Sequence, residues 1–476
     1  MIDRRNFLGQ AGLVATAAAL PAAARAAAPA RPDWFAAVGD ITADIAPQGL
    51  RRVHGRAPAG LDGTLYRNGP ARFRLGGTAV GHWFDGDGLI RAWQLRDGQA
   101  QLQARFVDTT KRRTDTAAGA MVQPGFNTLA RPGAVVTSAD DTNAANTSVI
   151  VAGGQLLALW EAGSAYALDA QTLATKGPLT FRPDLAGMPF LAHPRIEPDG
   201  RIWNLGMGGK MAFIWRLSKD GSFEAGQSIP LPMASYVHDF TATARHLVIV
   251  LQPWVQERNA LPFVASLEWR PQLGTKVLVI DKADLSKRRV FELPPLFFFH
   301  LGDAWEDNDG SIRFDGCFES DPAFARDTAS ALIDARTVRT DRPVLRLVTL
   351  HANGRASVDD AGITAEFPRS DPALAGLRRT RTVHVGGYGP ARPFARTIGI
   401  WDWQTGRDDA HDFGAHQIVE EFVPAGRWLI GTTINLQAKA SELHVMDAAR
   451  VADGPVVTWR ANVALPHSFH GSWLAA

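Results

Sequence analysis

Cysteine is almost missing from this chain: 476 residues contain one, Cys317. A single thiol excludes an intrachain disulfide and any zinc or iron–sulfur site built from cysteines. Tyrosine is scarce as well, with 4 residues against 24 Phe and 14 Trp. Aromatic surface without hydroxyls favours apolar cavities over polar ones. Charge of one sign is also lacking. Lys and Arg number 50 and Asp and Glu 48, a net charge of +2, so neither nucleic acid nor an acidic membrane surface is implied as a partner. No run beyond the N-terminus approaches the roughly 20 apolar residues of a membrane-spanning helix. The chain has no Gly-x-Ser-x-Gly elbow, no phosphate loop and no dinucleotide fingerprint. What remains is a composition with 46% hydrophobic and 21% charged residues, that of a soluble globular protein.

The N-terminus reads as a targeting segment. Asp3-Arg4-Arg5-Asn6-Phe7-Leu8 is a twin-arginine pattern, followed by a weakly hydrophobic run from Gly9 to Ala24 and small-residue cleavage points near Ala24–Ala28. Residues 1–30 are expected to be an export signal and residues 31–476 one mature domain, working in the periplasm or otherwise outside the cytoplasm.

Past the signal, short apolar runs alternate with turn residues. Gly153-Gly154, Asp199-Gly200, Gly208-Gly209, Asp220-Gly221, Asp309-Gly310 and Asn353-Gly354 each sit between two such runs. Gly-Gly and Asp-Gly pairs supply the positive φ angles of tight hairpins. The pattern predicts an all-β protein of repeated antiparallel sheets, as in a β-propeller, and no doubly wound fold. Two apolar, proline-broken stretches interrupt it: Ala117–Pro132, with Met121–Phe126, and Val255–Trp269, with Leu261–Ala265. These read as loops or short helices on one face, where function tends to sit.

The C-terminus is unusual for a chain end. Leu465-Pro466-His467-Ser468-Phe469-His470-Gly471-Ser472-Trp473 carries two aromatics and two histidines three residues from the last residue, so it is expected to be buried. A buried histidine needs a partner for each ring nitrogen. Read alone, His470 is a core histidine sooner than a metal ligand. Near the other end lie Tyr66-Arg67-Asn68-Gly69-Pro70 and Trp83-Phe84-Asp85-Gly86-Asp87-Gly88. Asp85 and Asp87 lack the further oxygen ligands and closing Glu of an EF-hand, so they are expected to bond turn amides.

Taken in order, these stretches resemble the carotenoid cleavage oxygenase family. The resemblance continues through Asn146-Thr147-Ser148-Val149, Leu157-Ala158-Leu159-Trp160-Glu161, Ala192-His193-Pro194, Val237-His238-Asp239-Phe240, Phe299-His300, Glu366-Phe367-Pro368-Arg369 and Phe469-His470-Gly471. It implies a seven-bladed β-propeller with loops and short helices forming a cap over one face, and a non-haem Fe(II) held on the axis by four histidines. By the same resemblance the iron ligands are His193, His238, His300 and His470. No two could share a helical turn, the nearest pair being 45 residues apart. Imidazole suits Fe(II), and four neutral ligands leave the site its full charge. The resemblance also implies three glutamates that orient the histidines: Glu161, Glu366 and one at Glu420-Glu421. There this chain is one residue short of the usual spacing, and Glu420 is taken. His467 is placed at the surface or behind the ligands.

The implied activity is dioxygenase cleavage of a conjugated double bond, with O2 and an apolar polyene, a carotenoid or apocarotenoid, as substrates. A stilbene-cleaving dioxygenase of the lignostilbene type is the alternative. Such relatives carry Lys just before the first of the glutamates, where this chain has Trp160. A propeller that binds or isomerises an apolar ligand without cleaving it is a third reading, disfavoured by the full set of four histidines. The two apolar interruptions are expected to border the cavity mouth, where they either touch a membrane or simply cap the core.

Overall fold

The β-strands of this computed structural model fall into six sheets of four or more strands and two two-stranded ribbons. Residues 31–338, 341–389 and 392–476 are described. The expected export signal lies outside them. One compact unit spans Asp33–Ala476. Helices among the described residues are few and short, the longest of them being Thr110–Ala118, started by the Thr109 hydroxyl and stopped at Gly119 in the left-handed region. No helix among the described residues is long and apolar enough to cross a membrane.

The hairpins form where the turn residues predict them. Ser148–Ala152 and Gln155–Leu159 pair across Gly153-Gly154, whose φ angles are 55° and 72°. Met211–Leu217 and Phe223–Pro230 pair across Asp220-Gly221. The sheets follow one another in chain order, and each is antiparallel. Inner strands, whose side chains alternate between two faces, pack on the sheet before and the sheet after. In the strand His246–Leu251, Leu247, Ile249 and Leu251 pack with Leu205 and Ile214 of the preceding sheet. Val248 and Val250 pack with Phe298 and Phe314 of the next.

This pattern repeats around the molecule and closes on itself. Leu65 and Trp93 of the first sheet meet Ile430, Leu443 and Trp459 of the last. Two strand exchanges lock the closure. Gly471–Ala475 adds to the first sheet beside Gly63–Arg72, and Arg51–Gly55 adds to the last beside Val457–Arg460. Residues 465–471 are therefore buried, as the composition predicts, while the strand that follows lies at the sheet edge with Leu474 exposed. The approach is close: a Cβ on Gly471 would lie 2.4 Å from the Tyr66 carbonyl, and one on Gly69 2.5 Å from Ser468 Cα.

Over one face lie loops and short helices. Trp34, Phe35, Trp83, Met121, Phe394 and Phe469 form one aromatic-rich cluster there. Phe126, Tyr236, Trp254, Phe263, Phe297 and Phe299 form another. Asp85 holds this layer by accepting from the amides of Phe126 and Asn127 and the Thr128 hydroxyl, the turn-bonding role expected of it. Asp87 has a different partner set. It pairs with buried Arg72 at 2.6 Å and with Lys111 Nζ at 3.0 Å, and Lys111 also contacts Asp115. Burial alone would lower the Lys111 pKa, but the two carboxylates outweigh it and push it up to about 12.

Removing one partner of a buried ion pair leaves an uncompensated charge. Asp87→Ala should therefore cost about 3–5 kcal/mol of folding free energy. Urea denaturation followed by tryptophan fluorescence reads this as a lower midpoint; an unchanged midpoint would show that Asp115 alone suffices for Lys111.

Candidate metal centre

Four sheets each deliver one histidine to the middle of the ring. His193 precedes the edge strand Arg195–Ile196, and His238 precedes Thr241–Ala242. His300 lies in Phe297–Glu306, and His470 directly precedes Gly471–Ala475. A short relay keeps three of these edges in register. Arg195 donates to Asp239 Oδ1 at 2.7 Å and to the Phe240 carbonyl at 2.6 Å, while the Leu301 amide donates to Asp239 Oδ2 at 2.9 Å. Each relay residue stands within two positions of a histidine.

The ring nitrogens converge. Nε2 of His193 is 3.0 Å from Nε2 of His238; His238 and His300 are 3.3 Å apart, and His300 and His470 3.0 Å. All four atoms lie within 4.8 Å of one another. Two nitrogens bound at right angles to one ion, each about 2.1 Å from it, lie about 3.0 Å apart, so the spacing fits a single bound metal.

The outer nitrogens strengthen that fit. Nδ1 of His238 contacts Glu161, Nδ1 of His300 contacts Glu366, and Nδ1 of His470 contacts Glu421 Oε1 at 3.0 Å. An Nδ1–H that donates to a carboxylate leaves a lone pair on Nε2. Three such lone pairs about 3 Å apart repel one another unless a cation lies between them. Burial and the neighbouring rings hold His193 and His470 well below the usual imidazole range, in the metal-binding neutral form. Burial acts the same way on His300, but Glu366 outweighs it and raises that ring, so there a proton and a cation compete for one lone pair.

The third carboxylate corrects the sequence expectation: it is Glu421, not Glu420. Pairing between Gln417–Ala425 and Trp428–Asn435 slips between Val419 and Phe422, a β-bulge that turns both glutamates inward. Glu421 takes His470, the Gly471 amide at 2.9 Å, and ion pairs to Arg67 and Arg369, both 3.1 Å. Glu420 faces away, toward Thr432 and the amide and hydroxyl of Ser468. A similar slip falls between Glu366 and Arg369, where Phe367 has φ 53° and its ring stacks on His300 at 5.0 Å. A bulky residue at positive φ is strained, and here the strain turns Glu366 toward the site.

Tyr236 is a site residue absent from the sequence reading. Its hydroxyl donates to Glu161 Oε2 at 2.8 Å. The sequence carried the sign of it, since Tyr236 and His238 are two apart in extended chain and share a side. Arg67, Arg369 and Phe367 were in view as motif members but without roles. His467 is buried among Trp83, Phe394 and Phe367, not at the surface, and burial pushes it down to about 4. His444 is a satisfied core histidine between Thr433 and Thr458.

Two cavities meet at the histidines. One, of about 750 Å³, is bordered by His238, His300 and His470 and walled by Phe84, Trp160, Phe299 and other aromatics. The other, of about 670 Å³, reaches His193, His300 and His470 from the opposite side and is lined by charged residues, among them Arg195, Glu197, Asp303 and Arg369.

Because Glu421 and not Glu420 faces His470, conservative changes separate the two. Glu421→Gln should weaken metal affinity by about 10- to 100-fold, the usual effect of losing a carboxylate behind a ligand. Glu420→Gln should leave it unchanged. Competition against a metal-sensitive dye measures both, and equal losses would return Glu420 to the site.

The comparisons with known proteins agree with this geometry. Residues 40–475 match the family described as retinal pigment epithelial membrane protein. The chain is 28% identical over 473 residues to the apocarotenoid-15,15'-oxygenase of Synechocystis sp., covering 88% of this chain and 92% of that one. It is also 28% identical to resveratrol cleavage oxygenase 1 of Aspergillus fumigatus over 467 residues, covering 89% and 91%. The crystal structure of cobalt-substituted Synechocystis apocarotenoid oxygenase superposes with a TM-score of 0.84 at 24% identity, over 93% of this chain and 98% of that one. A family match across nearly the whole described chain, together with four histidines on one point, shows that this protein belongs to the carotenoid cleavage oxygenase (retinal pigment epithelial membrane protein) family.

Proposed function

We propose that the protein is a non-haem Fe(II)-dependent dioxygenase that cleaves a conjugated carbon–carbon double bond of a carotenoid or apocarotenoid into two carbonyl products. The observation that carries this reading is the four-histidine site opening onto an aromatic-walled cavity of about 750 Å³. The ring of stacked sheets, with the seven-stranded sheet divided at the shared strand Ala356–Arg369, is read as seven blades under a cap. His193, His238, His300 and His470 would hold the iron, which when bound supplies the means to activate O2. The chain does the rest. Glu161, Glu366 and Glu421 fix the ring orientations, and Tyr236 fixes Glu161. Phe84, Phe299 and Trp160 present flat apolar surface to a polyene and keep water from the reacting carbons.

Substrate class follows from Trp160. It borders the cavity beside Glu161 and offers no cation to a phenol oxygen there. Apocarotenoids are therefore preferred over hydroxystilbenes, although the likeness to a resveratrol cleavage oxygenase keeps the stilbene reading as the alternative.

Access is read as membrane-side. The amides of Phe263 and Val264 donate to the carbonyls of Gly125 and Phe126, so the two apolar interruptions form one surface. Met121–Phe126 itself is buried, because its side chains face the core beneath the cap. Within residues 117–136 and 255–269 the exposed large apolar side chains are Leu129, Val135, Val136 and Leu261, between 41% and 65% exposed, and Val136 and Leu261 border the cavity. Such a patch at a cavity mouth suits a bilayer. The twin-arginine pattern at residues 3–8 supports export, to the periplasm or otherwise out of the cytoplasm.

Aerobic incubation of iron-loaded protein with apocarotenals, carotenoids and hydroxystilbenes, with products identified by mass, tests the reaction. Paired carbonyl products are expected, faster from apocarotenals, and none from His238→Ala or His300→Ala. A faster rate on hydroxystilbenes would favour the alternative. For the mouth, Leu129→Glu with Leu261→Glu should leave folding and turnover of detergent-solubilised substrate intact and abolish liposome binding. Unaltered liposome binding would remove the membrane role.

A further inference from the structure

The apolar cavity contains a polar corner that the metal site does not use. Glu319 ends the strand Ile312–Glu319, where its backbone pairs with Phe297, one strand over from His300. It is 5% exposed and borders the cavity, yet no described residue hydrogen-bonds its carboxyl. Tyr388, just past Arg381–Gly386, borders the same cavity, and its hydroxyl likewise has no partner among the described residues. The Arg342 guanidinium lies over the Tyr388 ring at 5.2 Å, while donating to the Arg392 carbonyl at 3.0 Å. An unpartnered buried polar group costs about 1–3 kcal/mol. Glu319, buried, and Tyr388, half-buried, thus border one apolar cavity as a hydrogen-bonding pair with no partner among the described residues.

The rest of the cavity sharpens the contrast. Tyr236 also borders it, but its hydroxyl is committed to Glu161. The other hydroxyls bordering it, on Thr137, Ser138, Thr142, Thr147 and Ser235, each donate to a neighbour. Polar recognition is thus displaced toward the side of Glu366 and His300. Burial, with Glu366 nearby, pushes Glu319 and Tyr388 well above their ordinary ranges, which favours the protonated form of each. A neutral carboxyl offers an O–H donor and a carbonyl acceptor, and a phenol offers both in one atom. Together they match a hydroxyl, which donates once and accepts once.

We infer that Glu319 and Tyr388, backed by Arg342, form a subsite that binds a hydroxyl group on one end of the alkene substrate and so sets which double bond lies over the metal. This deepens the proposed function and rests on an extended alkene occupying the cavity. The substrate class it selects is an alkene with a hydroxylated ring, a ring alcohol or a phenol, placed with that ring on the Glu366 side.

The test uses binding to the iron-loaded protein without O2, so that nothing turns over. The probes are two pairs: an apocarotenal with and without a ring hydroxyl, and a stilbene with and without a 4-hydroxyl. Quenching of tryptophan fluorescence reads affinity, since Trp83 and Trp160 border the cavity. The preference for the hydroxylated member of a pair should fall by about 3- to 10-fold in Glu319→Leu and in Tyr388→Phe, the worth of one neutral hydrogen bond. Glu319→Gln, which keeps a donor and an acceptor, should retain most of it. Glu319→Leu should also raise the melting temperature, because it removes a buried group without a partner. If that variant misfolds, Tyr388→Phe, which deletes one oxygen atom, carries the comparison alone. An unchanged preference in both variants overturns the subsite while leaving the alkene reading intact. Failure of every probe to bind overturns both.

Discussion

Glu161, Glu366 and Glu421 each hold one imidazole by its outer nitrogen, and so turn the inner nitrogens of His238, His300 and His470 onto one point with His193. Glu421 is fully buried and Glu161 and Glu366 are largely so, and carboxylates in such places are costly unless they are bonded. Much of the surrounding structure is arranged to bond them. Glu421 has Arg67, Arg369 and the Gly471 amide; Glu161 has Tyr236; Glu366 has the Phe367 amide. The bulges at 419–422 and 366–369 and the strained Phe367 exist where the strands must depart from regular alternation to aim these side chains. A metal centre made of four residues thus draws on every part of the ring.

That dependence explains the ends of the chain. His470 can reach the centre only if the C-terminal strand joins the first sheet, and the junction allows no Cβ at Gly69 or Gly471. Asn68 accepts from the Phe469 amide and donates to the His470 carbonyl, while its side chain donates to the carbonyls of Ala145 and Ser148. One residue of the Tyr-Arg-Asn-Gly-Pro stretch therefore couples closure of the ring to placement of the fourth histidine. Closure and metal binding become parts of one structural event. The separation of the two cavities follows as well: an aromatic one over three of the histidines and a charged one behind them.

Much of this was legible in the sequence, for local reasons. Gly153-Gly154 and Asp220-Gly221 allow few backbone conformations, so they announce hairpins wherever they stand between apolar runs. The histidines were legible through their neighbours, Pro194, Asp239, Phe299 and Gly471, in a fixed order. The choice between Glu420 and Glu421 was not, because a bulge breaks the period-2 rule that any strand reading assumes. Nor was the burial of Met121–Phe126 legible, since an apolar stretch looks the same whether it faces core or solvent. Exposure moved instead to Leu129, Val135, Val136 and Leu261. Glu319 and Tyr388 carry no motif, and their common cavity arises only when the seven-stranded sheet brings Ile312–Glu319 and Arg381–Gly386 together.

The central claim is that one iron ion is bound by four imidazoles brought from four sheets. X-ray absorption at the iron edge of the metal-loaded protein tests it directly, since outer-shell scattering counts imidazole rings. The account predicts four imidazoles per iron, falling to three when His193, the ligand without a carboxylate behind it, is replaced by Ala. An iron with two or fewer imidazoles, or an unchanged spectrum in His193→Ala, would contradict it.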